Sequence, residues 1–348
     1  MNDFTIVLII IVVCVIMIVY GMRQKKNNSS FSRRSAASHE ILWKNAPAPP
    51  PVADRDSPAY WLSVKLSQSL PQDYIDRVKH RVINDHPALS DQEYEWRWVE
   101  LQRFFILCAV LKQVPMFSSK VDEIWHEMLM FTRDYQAFSQ QYLGDMLHHA
   151  PSAAPSAPIP DERAWFDTVY TELFGLNAYS QSIWGSFFKN PLPKKELESY
   201  LHLEDMSSPP GRFNQLQYDH MPEARTAIEA VVQRLHQRLV QADQQNWQPG
   251  KERLSLNQPE LLLASAVYFS WHEPEQYSSF MMMEEEARKG AQSHSSCSTG
   301  VACSSNDSRD RDSGNDNGSS SSESSDSGSS GSDSGGSSCS SCGGGCSS

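Results

Sequence analysis

Asp122 and His126 stand four residues apart in Val121-Asp122-Glu123-Ile124-Trp125-His126, so on a helix they are neighbours on one face. A carboxylate and an imidazole at that spacing can share a divalent metal, with His148 or His149 completing the set from a following turn. Such mixed oxygen and nitrogen donors suit Zn²⁺ or a similar ion. At about 100° per residue, His126 lies roughly 130° from the centre of its helix's apolar stripe. That is the polar border of the stripe, where a covering loop can enclose it. A structural arrangement uses the same residues: Asp122 accepts from His126, and the histidine pair braces the turn after Gly144 against Tyr135 or a backbone carbonyl. Both readings are open on the spacing alone. A metalloprotease of the H-E-x-x-H type is disfavoured, because His126-Glu127 is followed by Met130 and not by a second histidine. The chain carries no Gly-rich phosphate loop and no G-x-S-x-G elbow.

A second set of reactive groups lies near the C-terminus, where Cys339, Cys342 and Cys346 fall within eight residues, with Cys297 and Cys303 upstream. In a reducing compartment a disulfide framework is not expected. Thiolate capture of zinc or a softer metal, lipid attachment and a merely solvated tail are the readings they allow. Cys108 falls on an apolar helical stripe and reads as core. Arg77, Lys79, His80 and Arg81 read as a solvated helix face. Met281-Met282-Met283, leading into Glu284-Glu285-Glu286, reads as the end of a packed helix or as an adaptable docking patch.

Helices must hold these side chains. Ser90-Asp91-Gln92-Glu93 has the form of a capping box, with Ser90 as N-cap and Glu93 reaching back. Behind it Tyr94, Trp98, Leu101, Phe105 and Cys108 recur at helical spacing, with Phe104, Leu107 and Leu111 as a second row. Two apolar faces predict a central helix covered on more than one side. From about Ser119, Val121, Ile124, Trp125, Met128 and Leu129 form one stripe. Thr132 is the expected N-cap of the next helix, which bears Tyr135, Phe138 and Tyr142 and stops at Gly144. A helix is expected from about Asp161 to Phe174, an amphipathic one through Ile228, Val231, Val232, Leu235 and Leu239, and one opening at Asn257, Pro259 and Glu260. No stretch shows sustained period-two alternation.

The ends differ from the middle. Phe4 to Tyr20 carries no charge, and extended to Met22 it is just long enough to cross a hydrocarbon core of about 30 Å at 1.5 Å per residue. Arg23, Lys25, Lys26, Arg33 and Arg34 follow it with no acid before Glu40. By the positive-inside rule the bulk of the chain is expected in the cytoplasm, with only the N-terminus crossing. Residues 21 to about 57 read as a linker, stiffened by Ala46-Pro47-Ala48-Pro49-Pro50-Pro51. The Ser-, Gly- and Asp-rich tail from about 290 is too polar to offset its ordering entropy and is expected to be disordered. A net charge of −12 argues against a nucleic-acid partner.

The run from Val121, Asp122, Trp125 and His126 through Leu129, Thr132, Arg133, Tyr135 and Gly144 to His148, His149 and Pro151 resembles the bacterial relatives of the plant glycine-rich domain proteins. Their shared pattern is a V-D-x-x-W-H helix, a T-R-x-Y helix and a G…H-H-x-P turn. The resemblance covers about 70–175 and implies a helical fold without implying an activity. Residues 176–290 lie outside it, and the tail is richer in Ser and Asp than in Gly.

The expected architecture is mainly α: a transmembrane helix at 4–22, a basic, Pro-rich linker at 23–57, a cytoplasmic helical-bundle domain at 58–289 and a disordered tail at 290–348. A second subdomain at 176–289 is compatible with the pattern. The leading functional expectation is a single-pass inner-membrane protein acting as an interaction or scaffold module, its partners the lipid bilayer and an unidentified protein. The alternative is a metal-binding protein or metal-dependent enzyme centred on Asp122, His126 and His148 or His149.

Overall fold

The computed structural model describes residues 41–149, 159–203, 209–244, 254–256 and 258–281. The expected membrane span, the tail with its cysteines, Asn257 and Pro151 lie outside them. No described helix is long and apolar enough to cross a membrane.

A long stretch with two apolar faces must be surrounded, and helix α3 (Asp91–Val110) is buried over most of its length. It follows α1 (Tyr60–Ser69) and α2 (Gln72–Asp85). The Ser90 side chain caps it by accepting from the Glu93 N–H, while the Glu93 carboxylate accepts two bonds from Arg97 one turn on. Around α3 pack α4 (Ser119–Leu129), α6 (Pro160–Phe174) and α7 (Ala178–Trp184), with α5 (Thr132–Leu143) against α1 and α4. The chain continues through α8 (Lys194–Leu201), α9 (Gln215–His220), α10 (Pro222–Asp243) and α11 (Pro259–His272), then a 3₁₀ turn at Pro274–Gln276 and α12 (Tyr277–Phe280). Among the described residues there is no strand, only an isolated antiparallel bridge between Leu111 and Phe213.

The apolar stripes face inward as expected. Val121, Ile124, Trp125 and Met128 are buried, as are Tyr135, Phe138, Tyr142, Cys108 and the α10 row from Ile228 to Leu239. Met281 is buried too. The basic run of α2 is paired: Arg77 with Asp73 and Asp134, Lys79 with Glu95 and Arg81 with Glu127. Solvent screens pairs as exposed as these, so they add little to stability.

Three expectations are corrected. Thr132 is the first residue of α5 and exposed, and Phe131 occupies the cap position without a side-chain bond. A division into two subdomains is not seen, because α10 packs on α1, α3 and α6 and one apolar core runs from Trp43 to Met281. The C-terminal part of the linker is not a free spacer. Residues 41–44 are helical, Trp43 and Ala53 are buried, and the proline-rich stretch between them lies on the surface of α3. A proline-rich stretch has few N–H groups to form local structure, so its carbonyls need partners elsewhere, and those of Pro47, Pro51 and Val52 accept from Trp96 and Arg103.

Two buried acids tie the helices together. Glu100 on α3 is fully buried and accepts from Arg103 (3.0 Å), from the Tyr170 hydroxyl (2.6 Å) and from the Trp184 indole (2.7 Å). Asp167 on α6 is also fully buried, accepting from Arg163 (2.7 Å) and from the backbone N–H of Phe188 (2.8 Å). Phe188 has φ of 56°, in the left-handed region, so Asp167 holds a strained turn in place.

Candidate metal centre

The site is built from α4 and from the turn that ends α5. Ser118 caps α4 by accepting from the Val121 N–H and donates to the Ile183 carbonyl, which fixes the helix start against α7. Burying Val121, Ile124, Trp125 and Met128 leaves Asp122 and His126 at the edge of the helix, one turn apart. The second half depends on Gly144, whose φ of 78° ends α5 in the left-handed conformation glycine adopts without penalty. The chain then doubles back. Ser139 donates to the Asp145 carbonyl (2.7 Å) and accepts from the Leu147 N–H, so this polar residue inside α5 holds the reversal.

The reversal brings His149 to Asp122, with Nε2 2.7 Å from Oδ1. His126 Nε2 lies 3.8 Å from the other carboxylate oxygen, and the two imidazole centroids are 4.6 Å apart. One ligand atom from each of Asp122, His126 and His149 lies within 4.8 Å of the others. The His149 side chain is 6% exposed and His126 is 49% exposed, so the cluster has a buried side and an open side. The flanking acids are engaged elsewhere: Glu123 by Arg97 (2.9 Å) and Glu127 by Arg81 (2.6 Å).

Trp125 and Tyr135 position His149. The Trp125 ring meets the His149 ring edge-on with centroids 4.4 Å apart. Its indole donates to the Tyr135 hydroxyl (3.0 Å), which in turn donates to the carbonyl of Leu147 (2.7 Å), two residues before His149. Tyr135→Phe leaves a buried donor and a buried acceptor without that oxygen. We expect it to cost about 2–3 kcal/mol in urea unfolding. His149 should also move away from Asp122, read as a shift of its imidazole resonances. Unchanged stability and unchanged resonances would mean the hydroxyl does not position the turn.

Of the residues singled out in the sequence, Asp122, His126 and His149 come together. His148 does not join them: it is exposed, because its neighbour His149 turns toward α4. Val121, Trp125 and Tyr135 are core, Leu129 is half-buried, Gly144 makes the turn, and Thr132 and Arg133 are on the surface. The histidine pair was expected to brace the turn against Tyr135 or a backbone carbonyl; instead His149 meets Asp122, and Tyr135 itself donates to the Leu147 carbonyl. Ser139 escaped notice in the sequence, since a lone serine inside an amphipathic helix carries no pattern.

A family model described as UCP032817-like matches residues 68–166, a stretch that contains all three clustered side chains. No curated protein matches the chain, and no solved structure does.

Proposed function

We propose that the helical domain binds a divalent cation, Zn²⁺ or one of similar preference, through Asp122, His126 and His149. The convergence of three ligand atoms within 4.8 Å, drawn from a helix and a turn 23 residues further along the chain, carries this reading. Two imidazoles and a carboxylate form a borderline donor set of the kind Zn²⁺ prefers, and three protein ligands leave a tetrahedral ion one open position. His126 leaves one side of the cluster open to solvent, whereas Trp125 and the Tyr135–Leu147 link orient His149 from behind.

The test is metal analysis of the purified full chain after zinc exposure and desalting. Near-stoichiometric metal is expected in the wild type, and its loss is expected in His126→Ala and His149→Ala, both still helical by circular dichroism. A His148→Ala control should keep its metal. A metal-free wild type with folded variants would leave the Asp122–His149 pair as a structural hydrogen bond.

The membrane-tethered interaction module is the second reading. The apolar run 4–22 and the cations behind it support an inner-membrane anchor with the domain on the cytoplasmic side. The resemblance to bacterial relatives of the plant glycine-rich domain proteins also belongs here and rests on the quoted motif residues. The seating of residues 43–53 on α3 favours tethering, because it would pass the direction of the anchor to the domain.

A further inference from the structure

Residues 43–53 rest on the domain in the manner of a bound peptide. Pro47, Ala48 and Pro51 are exposed, while Trp43 and Ala53 are buried at the two ends. Between these anchors Ala46 and Val52 pack partly buried against the core, and the hydrogen bonds run to main-chain carbonyls. The Trp96 indole donates to the Pro47 carbonyl (2.9 Å), and Arg103 donates to the carbonyls of Val52 (3.0 Å) and Pro51 (3.3 Å). Trp43 packs against Tyr179 with centroids 5.5 Å apart, and Tyr179 stacks on Trp96 at 4.4 Å. An aromatic pair, an indole donor and a cation aimed at the carbonyls of a proline-rich segment make up the chemistry by which grooves read extended proline peptides. Arg103 is itself preset by Glu100 and Tyr170, so its fork is in position whether or not a segment lies on it.

From this we infer that the surface of α3 and α7 around Trp96, Arg103 and Tyr179 is a recognition groove for proline-rich peptides bearing an upstream tryptophan. The chain's own residues 43–53 fill it in cis. Because the groove reads carbonyls, which every sequence has, a second segment of the same type can replace the resident one. The resident segment enjoys a high effective concentration and holds the groove closed to weaker competitors.

A fluorescent peptide with the sequence of residues 41–53 tests this in trans against the full chain. In Trp43→Ala the resident segment loses its anchor, and the peptide should bind at least ~10-fold more tightly than to the wild type, the expected release from cis competition. Saturating peptide should also recover part of the thermal midpoint that the variant loses. Adding Trp96→Phe removes the indole donor and should weaken peptide binding ~5-fold, the worth of one hydrogen bond. Equal binding to wild type and variant, or none to a folded variant, overturns the inference.

If Trp43→Ala does not fold, a full chain cut at a protease site replacing the exposed Asp54–Asp56 decides the matter. The N-terminal fragment should stay bound after cutting and leave when excess peptide is added. A fragment that excess peptide cannot displace, or a domain that melts on cutting, would make the segment a permanent part of the core.

Discussion

Glu100→Ala is expected to lower the unfolding free energy by about 3–5 kcal/mol, because it leaves three donors facing a buried site with no acceptor. Arg103, only 3% exposed, would keep its charge without its carboxylate, and the Tyr170 hydroxyl and Trp184 indole would lose their shared oxygen. The cost of desolvating the ion pair is already incurred in the native state, so removing one partner exposes the full penalty. Glu100→Gln should fall in between. It retains an oxygen for Tyr170 and Trp184 but turns an amide N–H toward Arg103. Chemical denaturation of the three proteins under one condition measures this. An alanine variant within about 1 kcal/mol of the wild type would mean that water enters and satisfies the site.

Asp167 is expected to make stability depend on pH. Burial pushes its carboxyl up to about 7, against the opposing pull of Arg163 and the Phe188 N–H. In the unfolded chain an aspartate titrates near 3.9. Between those values the folded state holds a proton that the unfolded state has released. Its stabilising contribution is therefore complete below about pH 4 and is lost as pH rises through about 7. Relative to Asp167→Asn, which has no titration there, the wild type should lose stability with rising pH at up to about 1.4 kcal/mol per unit across that window. Urea unfolding of both proteins from pH 4 to 8 gives the difference directly. A difference that stays flat with pH would mean that Arg163 keeps the carboxylate ionised throughout.

The helices were legible where burial follows the helical period. The stripes of α3, α4, α5 and α10 are those the apolar spacing predicts, and Gly144 ends α5 where a glycine stop was expected. The site was legible in its residue types but not in its membership. Spacing put Asp122 beside His126, yet nothing local distinguishes His148 from His149; that choice is made by the direction the chain takes after the Ser139-held reversal. Buried polar groups left no trace. Glu100 and Asp167 each have a cation one turn away on the same helix, but the neutral donors that complete their burial come from elsewhere in the chain, where no local pattern shows them. The segment 43–53 escaped for another reason, since its contacts are largely made by carbonyls, which every sequence has.

The partners of Glu100 also order events during synthesis. Tyr170 and Trp184 lie 70 and 84 residues after it, and the Ser57 hydroxyl reaches a carbonyl 116 residues ahead. At a ribosomal speed of about 5–20 residues per second, Glu100 and Arg103 wait roughly 4–17 seconds for Trp184 to emerge. Until then the part of the α3 surface that α6 and α7 cover in the folded domain lacks that cover. The stretch that the family model matches ends at residue 166, four residues before Tyr170. The matched stretch thus ends before two of the three donors that Glu100 holds.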